Sequence, residues 1–120
     1  MDPILEKALE TANLMTTLAN QKRALKEEYE QNLFYFYNGG TFKVTRETVS
    51  FVQSLVTMEY IENVVIIDDN NLPINIDNLK TFLENLLDLY TQAANTYYTK
   101  YEAVKKSRNI ASILDLWLKV

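Results

Sequence analysis

The sequence predicts an α+β, helix-dominated protein: two long antiparallel helices with a shorter helix and a small β-sheet, a strand plus a hairpin, at one end. Three observations carry this. The 120 residues include only two glycines and two prolines, too few for a loop-rich fold. From 77 to 107, Leu79, Leu83, Leu86, Tyr90, Ala93, Tyr97, Tyr101 and Val104 recur at steps of mostly four and three, the rhythm of a helix seeking a partner along its length. Between the two helical stretches, Val64-Val65-Ile66-Ile67 is a continuous β-branched run followed by a polar turn.

The chain is read as a single domain over 1–120, with a first long helix over 1–37. Asp2 as cap and Pro3 at the first helical position are a start signal. Leu5, Ala8, Leu9, Ala12, Met15, Leu18, Ala19, Leu25, Tyr29 and Leu33 give this helix a thin stripe. Its alanines suit close approach to the carboxy-terminal helix. Lys22, Arg23, Lys26, Glu27, Glu28 and Glu30 read as a solvated face with helix-spaced ion pairs, or else as a docking face. The aromatic run Phe34-Tyr35-Phe36-Tyr37 fits either the end of this helix or the start of the sheet, and packing suits it better than base stacking, since few cations flank it. Asn38-Gly39-Gly40 must stop the helix as a left-handed terminator or turn. As a phosphate cradle the glycine pair lacks the following lysine and hydroxyl residue.

Residues 41–76 are assigned a strand, a short helix and a hairpin. Thr41–Thr45 alternates as a strand, and Thr45 can cap a helix from about Arg46 to Met58 with Val49, Val52, Leu55 and Val56 on its apolar face. Val64–Ile67, the turn Asp68-Asp69-Asn70-Asn71 and Leu72–Ile76 make the hairpin, where Pro73 requires an edge or a bulge. The long helix over 77–107 opens on Asp77, which can accept from first-turn amides. Phe82, Leu87, Leu89, Ala94 and Tyr98 widen its stripe, and Lys105, Lys106 and Arg108 suit its carboxy-terminal dipole. After Asn109 the residues 109–120 read as an apolar tail that either folds back on the core or inserts into another protein's groove.

The chemistry is restricted by what is missing. The chain has neither cysteine nor histidine, so disulfides, thiolate metal sites and the commonest general base are excluded. A formal charge of −4 and a pI near 4.8 argue against a general grip on nucleic acid. No run of eighteen apolar residues suggests a membrane span, the amino terminus lacks a signal-peptide profile, and a cytoplasmic location follows. Asp68-Asp69-Asn70-Asn71 is the one cluster of oxygen ligands, but a calcium loop starting there would place Leu79 where glutamate is needed. Turn chemistry is the better reading. No catalytic, cofactor-binding or metal-binding residues are assigned, and the chain is expected not to be an enzyme. Its candidate partner-binding residues are Leu114, Trp117 and Leu118 in the tail.

That tail, Ala111-Ser112-Ile113-Leu114-Asp115-Leu116-Trp117-Leu118, resembles the terminal sliding-clamp-binding tails of T-even-type phage polymerases and late-transcription factors. It differs in lacking the leading glutamine, replaced by Ala111, and in ending on Lys119-Val120. The remainder resembles small proteins of T-even-like phages of marine cyanobacteria, and the layout of helix, β-rich connector and helix is similar to prefoldin-type chaperone subunits. These likenesses imply a phage-encoded interaction or assembly factor in the host cytoplasm: an adaptor, a chaperone-like protein or a virion-associated one. The wide stripe on the long helix implies a homo-oligomer, in the simplest case a dimer, with protein partners and neither nucleic acid nor membrane. The alternative is a replication or late-transcription accessory protein docking on a sliding clamp.

Overall fold

A computed structural model describes the backbone of residues 2–118 and the side chains of residues 2–107. Among these, the element order is α1 (Pro3–Gln31), β1 (Phe34–Tyr37), β2 (Gly40–Lys43), α2 (Arg46–Thr57), β3 (Glu62–Ile67), β4 (Pro73–Asn78) and α3 (Leu79–Leu118). The protein is helix-dominated, with a long helix at each end, a short one between them, and two antiparallel two-stranded sheets. The chain divides into two compact units. One comprises Tyr29–Asn95, and the other is built from the flanking parts of α1 and α3.

In the Tyr29–Asn95 unit, the first correction to the sequence reading is at Phe34–Tyr37. The first helix stops at Gln31, and the aromatic run is strand β1. It pairs with β2 in the register Tyr37↔Gly40 to Phe34↔Lys43. The two residues between them, Asn38 and Gly39, have φ of 48° and 80°, the double left-handed conformation of a type I′ hairpin turn. Asn and Gly tolerate that geometry best, and it matches the strand twist. Asn38-Gly39 is therefore a hairpin turn joining two strands, not the terminator of a helix.

Thr45 caps α2 as its sequence foretold, its side-chain oxygen accepting from the Thr48 amide at 3.1 Å. The β3–β4 hairpin holds Val64↔Ile76 and Ile66↔Ile74 on its inner face, with Val65 and Ile67 on the outer one. Pro73 opens β4 and so interrupts no ladder hydrogen bond. At the start of α3 the cap is Asn78, whose Oδ1 accepts from the Thr81 amide at 3.1 Å, while Asp77 belongs to β4. The expected seam of α3 is real: Leu79, Leu83, Leu86 and Ala93 are buried, and Tyr90, Tyr97, Tyr101 and Val104 are half-buried. The helix does not end near Asn109 but continues to Leu118, forty residues in all. The reason lies in the sequence, since nothing after Pro73 is glycine or proline and one asparagine costs a helix little.

Phe82 is the centre of this unit. Its ring meets Phe42, Tyr35 and Tyr37 at centroid distances of 5.1, 5.4 and 5.6 Å, each edge to face. Such pairs place ring edges against the electron-rich face and add to the burial itself. The two tyrosines are half-buried, and their hydroxyls reach polar partners. Tyr35 accepts from Asn85 Nδ2 at 3.1 Å, and Tyr37 from the Asp77 amide at 3.3 Å. Gly40 is buried where β2 passes β4. A Cβ there would lie 2.6 Å from Ile74 Cγ1 and 3.0 Å from Phe42 Cε2.

In the other unit the seam on α1 includes Leu18, Lys22 and Leu25, of which only Leu18 is fully buried. The expected close approach through alanine is not what holds it, because Ala8, Ala12 and Ala19 are exposed. Lys22 places its ammonium 5.2 Å from the Tyr101 ring centroid, and Glu28 pairs with Lys100. Going back along α1 from Glu28 to Lys22, the partner advances from Lys100 to Tyr101, the antiparallel sense. The ion pair is half exposed, so it contributes at most about 1 kcal/mol.

Two substitutions test this packing by urea unfolding. Phe82→Ala removes the ring that three others surround and should cost about 3–5 kcal/mol. Gly40→Ala should cost about 1–3 kcal/mol, because Ile74 has to give way.

Candidate interaction surfaces

The one buried polar side chain of the described core is Asp68, 5% exposed. It opens the three-residue turn, Asp69 to Asn71, between β3 and β4. The Asp68 amide donates to the Leu72 carbonyl at 2.9 Å, the Asn71 amide donates to the Asp68 carbonyl at 3.1 Å, and Asn71 takes a φ of 61°. That is a type I turn followed by a left-handed residue, as three-residue hairpins use. The carboxylate is fully occupied. Oδ1 accepts from the amides of Asn70 at 3.0 Å and Leu72 at 2.8 Å, and Oδ2 accepts from Thr41 on β2 at 3.0 Å. Asp69 continues the seam: its amide donates to the Thr41 carbonyl and its Oδ2 accepts from Lys43, both at 3.0 Å. The acidic cluster picked out in the sequence is thus a turn that fastens one hairpin to the other. Among the described residues no group of three or more potential ligands could hold a metal ion.

Hydrogen bonds from the Thr41, Leu72 and Asn70 amides hold the Asp68 carboxyl below the usual aspartate range, against the opposing effect of burial. The unfolded chain then binds this proton at higher pH than the folded one, so folding stability rises with pH across that interval. The contribution is complete above the ordinary aspartate range and is lost as pH falls through the lower folded value.

Two apolar features of the described surface bear on partners. On α1, Leu5, Leu9, Leu14 and Met15 are exposed. Leu9, 48% exposed, and the buried Leu18 are nine positions apart, about two and a half turns, which puts them on opposite sides of the helix. The second feature is a groove of about 440 Å³ between α2 and β3, walled by Phe51, Val65 and Ile67 and floored by Val52 and Phe82. Its charged lining residues, Glu47 and Asp69, are both acidic. The sequence reading did not select these residues. Phe51 was the available signal, an aromatic lying outside the helix face of Val49, Val52, Leu55 and Val56 and 56% exposed.

The residues the sequence did select, Leu114, Trp117 and Leu118, fall on the last turns of α3, and their side chains lie outside the described residues. Among the described residues no helix is long and apolar enough to cross a membrane. No protein-family model, curated protein or solved structure matches this chain.

Replacing Asp68 by Asn supplies one acceptor oxygen where two are used and turns an amide group toward the Thr41 donor. Thermal unfolding of Asp68→Asn should show a lower midpoint at neutral pH. It should also show a flatter pH dependence than the parent below the ordinary aspartate range, with the two curves converging in acid.

Proposed function

We propose that this protein is a non-enzymatic interaction or assembly factor that works through helical faces. The observation that carries the reading is Leu9, half exposed on the side of α1 opposite the buried Leu18. Leu5 lies one turn before it and is exposed as well. A helix apolar on both sides ordinarily lies within a core, and a second partner on α1 would cover the outer leucines. The same face suits self-association as a dimer, which would bury these side chains without a second gene product. In this reading, which takes its origin from the resemblances of the sequence alone, the factor acts in the cytoplasm of a phage-infected host as an adaptor, a chaperone-like protein or a virion component. Asp68 supports a non-enzymatic reading because backbone amides already occupy both of its oxygens.

The competing proposal, a replication or late-transcription accessory protein that docks on a sliding clamp, rests on the likeness of residues 111–118 alone. Light scattering on the full chain, on Leu5→Lys/Leu9→Lys and on the chain truncated after Asn109 separates the two. The full chain should associate, and the double lysine variant should be a folded monomer of unchanged helix content. The truncated chain should keep the parent mass. A parent that stays monomeric at all concentrations removes self-association. A truncated chain that no longer folds assigns Trp117 to the core and removes the clamp reading.

A further inference from the structure

We propose that the groove between α2 and β3 receives an extended segment of another protein, which adds to β3 as a new strand and brings a lysine or arginine to the acidic lining residues Glu47 and Asp69. The proposal concerns the Tyr29–Asn95 unit alone and does not depend on the outer face of α1.

The groove runs along a strand edge. Consecutive residues of a strand point to opposite faces, yet Val65, Ile66 and Ile67 all line it. Only an edge-on groove touches both faces of β3 at once. The ladder then tells which backbone groups meet it. Asp68 and Leu72 form a hydrogen-bonded pair next to the turn, so the alternation places the hydrogen-bonded pairs at Ile66↔Ile74 and Val64↔Ile76. Val65 and Ile67 occupy the other positions, opposite Asn75 and Pro73, and their amides and carbonyls point away from β4. Neither residue makes a backbone hydrogen bond outside the hairpin. The corresponding edge of β2 differs, because its Thr41 and Lys43 amides are taken by the carboxylates of Asp68 and Asp69. One edge is closed by acidic side chains and the other is left open.

An open edge selects the partner's backbone, and the groove walls select its side chains. Exposed edges with apolar flanks are templates for an added strand. Alternate side chains of an incoming strand would meet Phe51 on α2 and the outward Val65 and Ile67. The charged lining, Glu47 and Asp69, attracts a cation and opposes a second copy of this chain. A copy pairing through its own β3 would bring Glu62, Asp68 and Asp69 to an edge that already carries acid. A basic and apolar extended segment fits both the edge and the charge.

The test uses the full chain with a synthetic peptide of alternating valine and lysine, the same peptide N-methylated at alternate amides, and a valine–glutamate counterpart. Amide hydrogen exchange is read at single residues. Val65 and Ile67 should exchange rapidly in dilute free protein and be slowed at least tenfold by saturating valine–lysine peptide. The N-methylated and glutamate peptides should leave the rates unchanged. Glu47→Gln and Phe51→Ala, both at exposed positions, should weaken the peptide's binding at least fivefold while the free variants keep the helix content of the parent. Val65 and Ile67 amides protected in dilute free protein would overturn the proposal, since the edge would be closed or held by a second copy. Equal binding of the N-methylated or glutamate peptide would overturn it as well, as would no protection by the valine–lysine peptide.

Discussion

The Asp68 carboxylate is the point on which the β-rich unit turns. It ends β3, builds the turn into β4, and reaches across to β2, and with Asp69 beside it fastens two hairpins that share no ladder. Two-stranded hairpins are marginal by themselves. Here each is held by the other through charged hydrogen bonds, and beneath them Phe82 packs on aromatic residues from both strands of the first hairpin. The carboxylate must also stay ionised for this, because two of its three donors converge on one oxygen and the third on the other. The acidic pair that looked most like chemistry is occupied by architecture.

The two units differ in how much they bury. Tyr29–Asn95 contains a contiguous core of aliphatic and aromatic side chains with Val44, Ile76, Leu79 and Leu86 fully enclosed. In the flanking unit, Leu18 is the buried side chain of α1, and tyrosine, lysine and glutamate supply much of the contact with α3. A helix of 29 residues owes most of its stability to packing of an apolar face. That α1 leaves leucines bare is therefore an imbalance within one element.

Much of this was legible in the residues. The seam of α3 could be read because leucine and tyrosine recur at heptad spacing, and Thr45, Asp2 and the polar turn announced their roles by type and position. Phe34–Tyr37 was ambiguous because aromatic β-formers follow directly on a charged helix. The Asn-Gly pair behind them held the answer, being the preferred two-residue hairpin turn and not only a helix stop. Asp77 and Asn78 are equally good caps by composition, and the choice falls to Asn78 because its side chain is the one that accepts from the Thr81 amide, while the Asp77 amide donates to the Tyr37 hydroxyl. The Asp68–Thr41 contact was beyond sequence reasoning, as its partners lie 27 positions apart. The groove was hidden for the same reason: Phe51, Val65 and Phe82 come from three elements.

Both hairpins close through neighbours, with two residues turning between β1 and β2 and three between Asp68 and Leu72. Such short loops cost little entropy to close, so each strand pair is a local contact. The meetings of Thr41 with Asp68 and of Tyr35 with Phe82 are the long-range contacts that join them. Cooperativity in this unit is then a property of the seam between hairpins and not of the strands. A substitution at Asp68 would loosen the β3–β4 turn and its tie to β2 at the same stroke, while leaving the Asn38-Gly39 turn of the first hairpin intact.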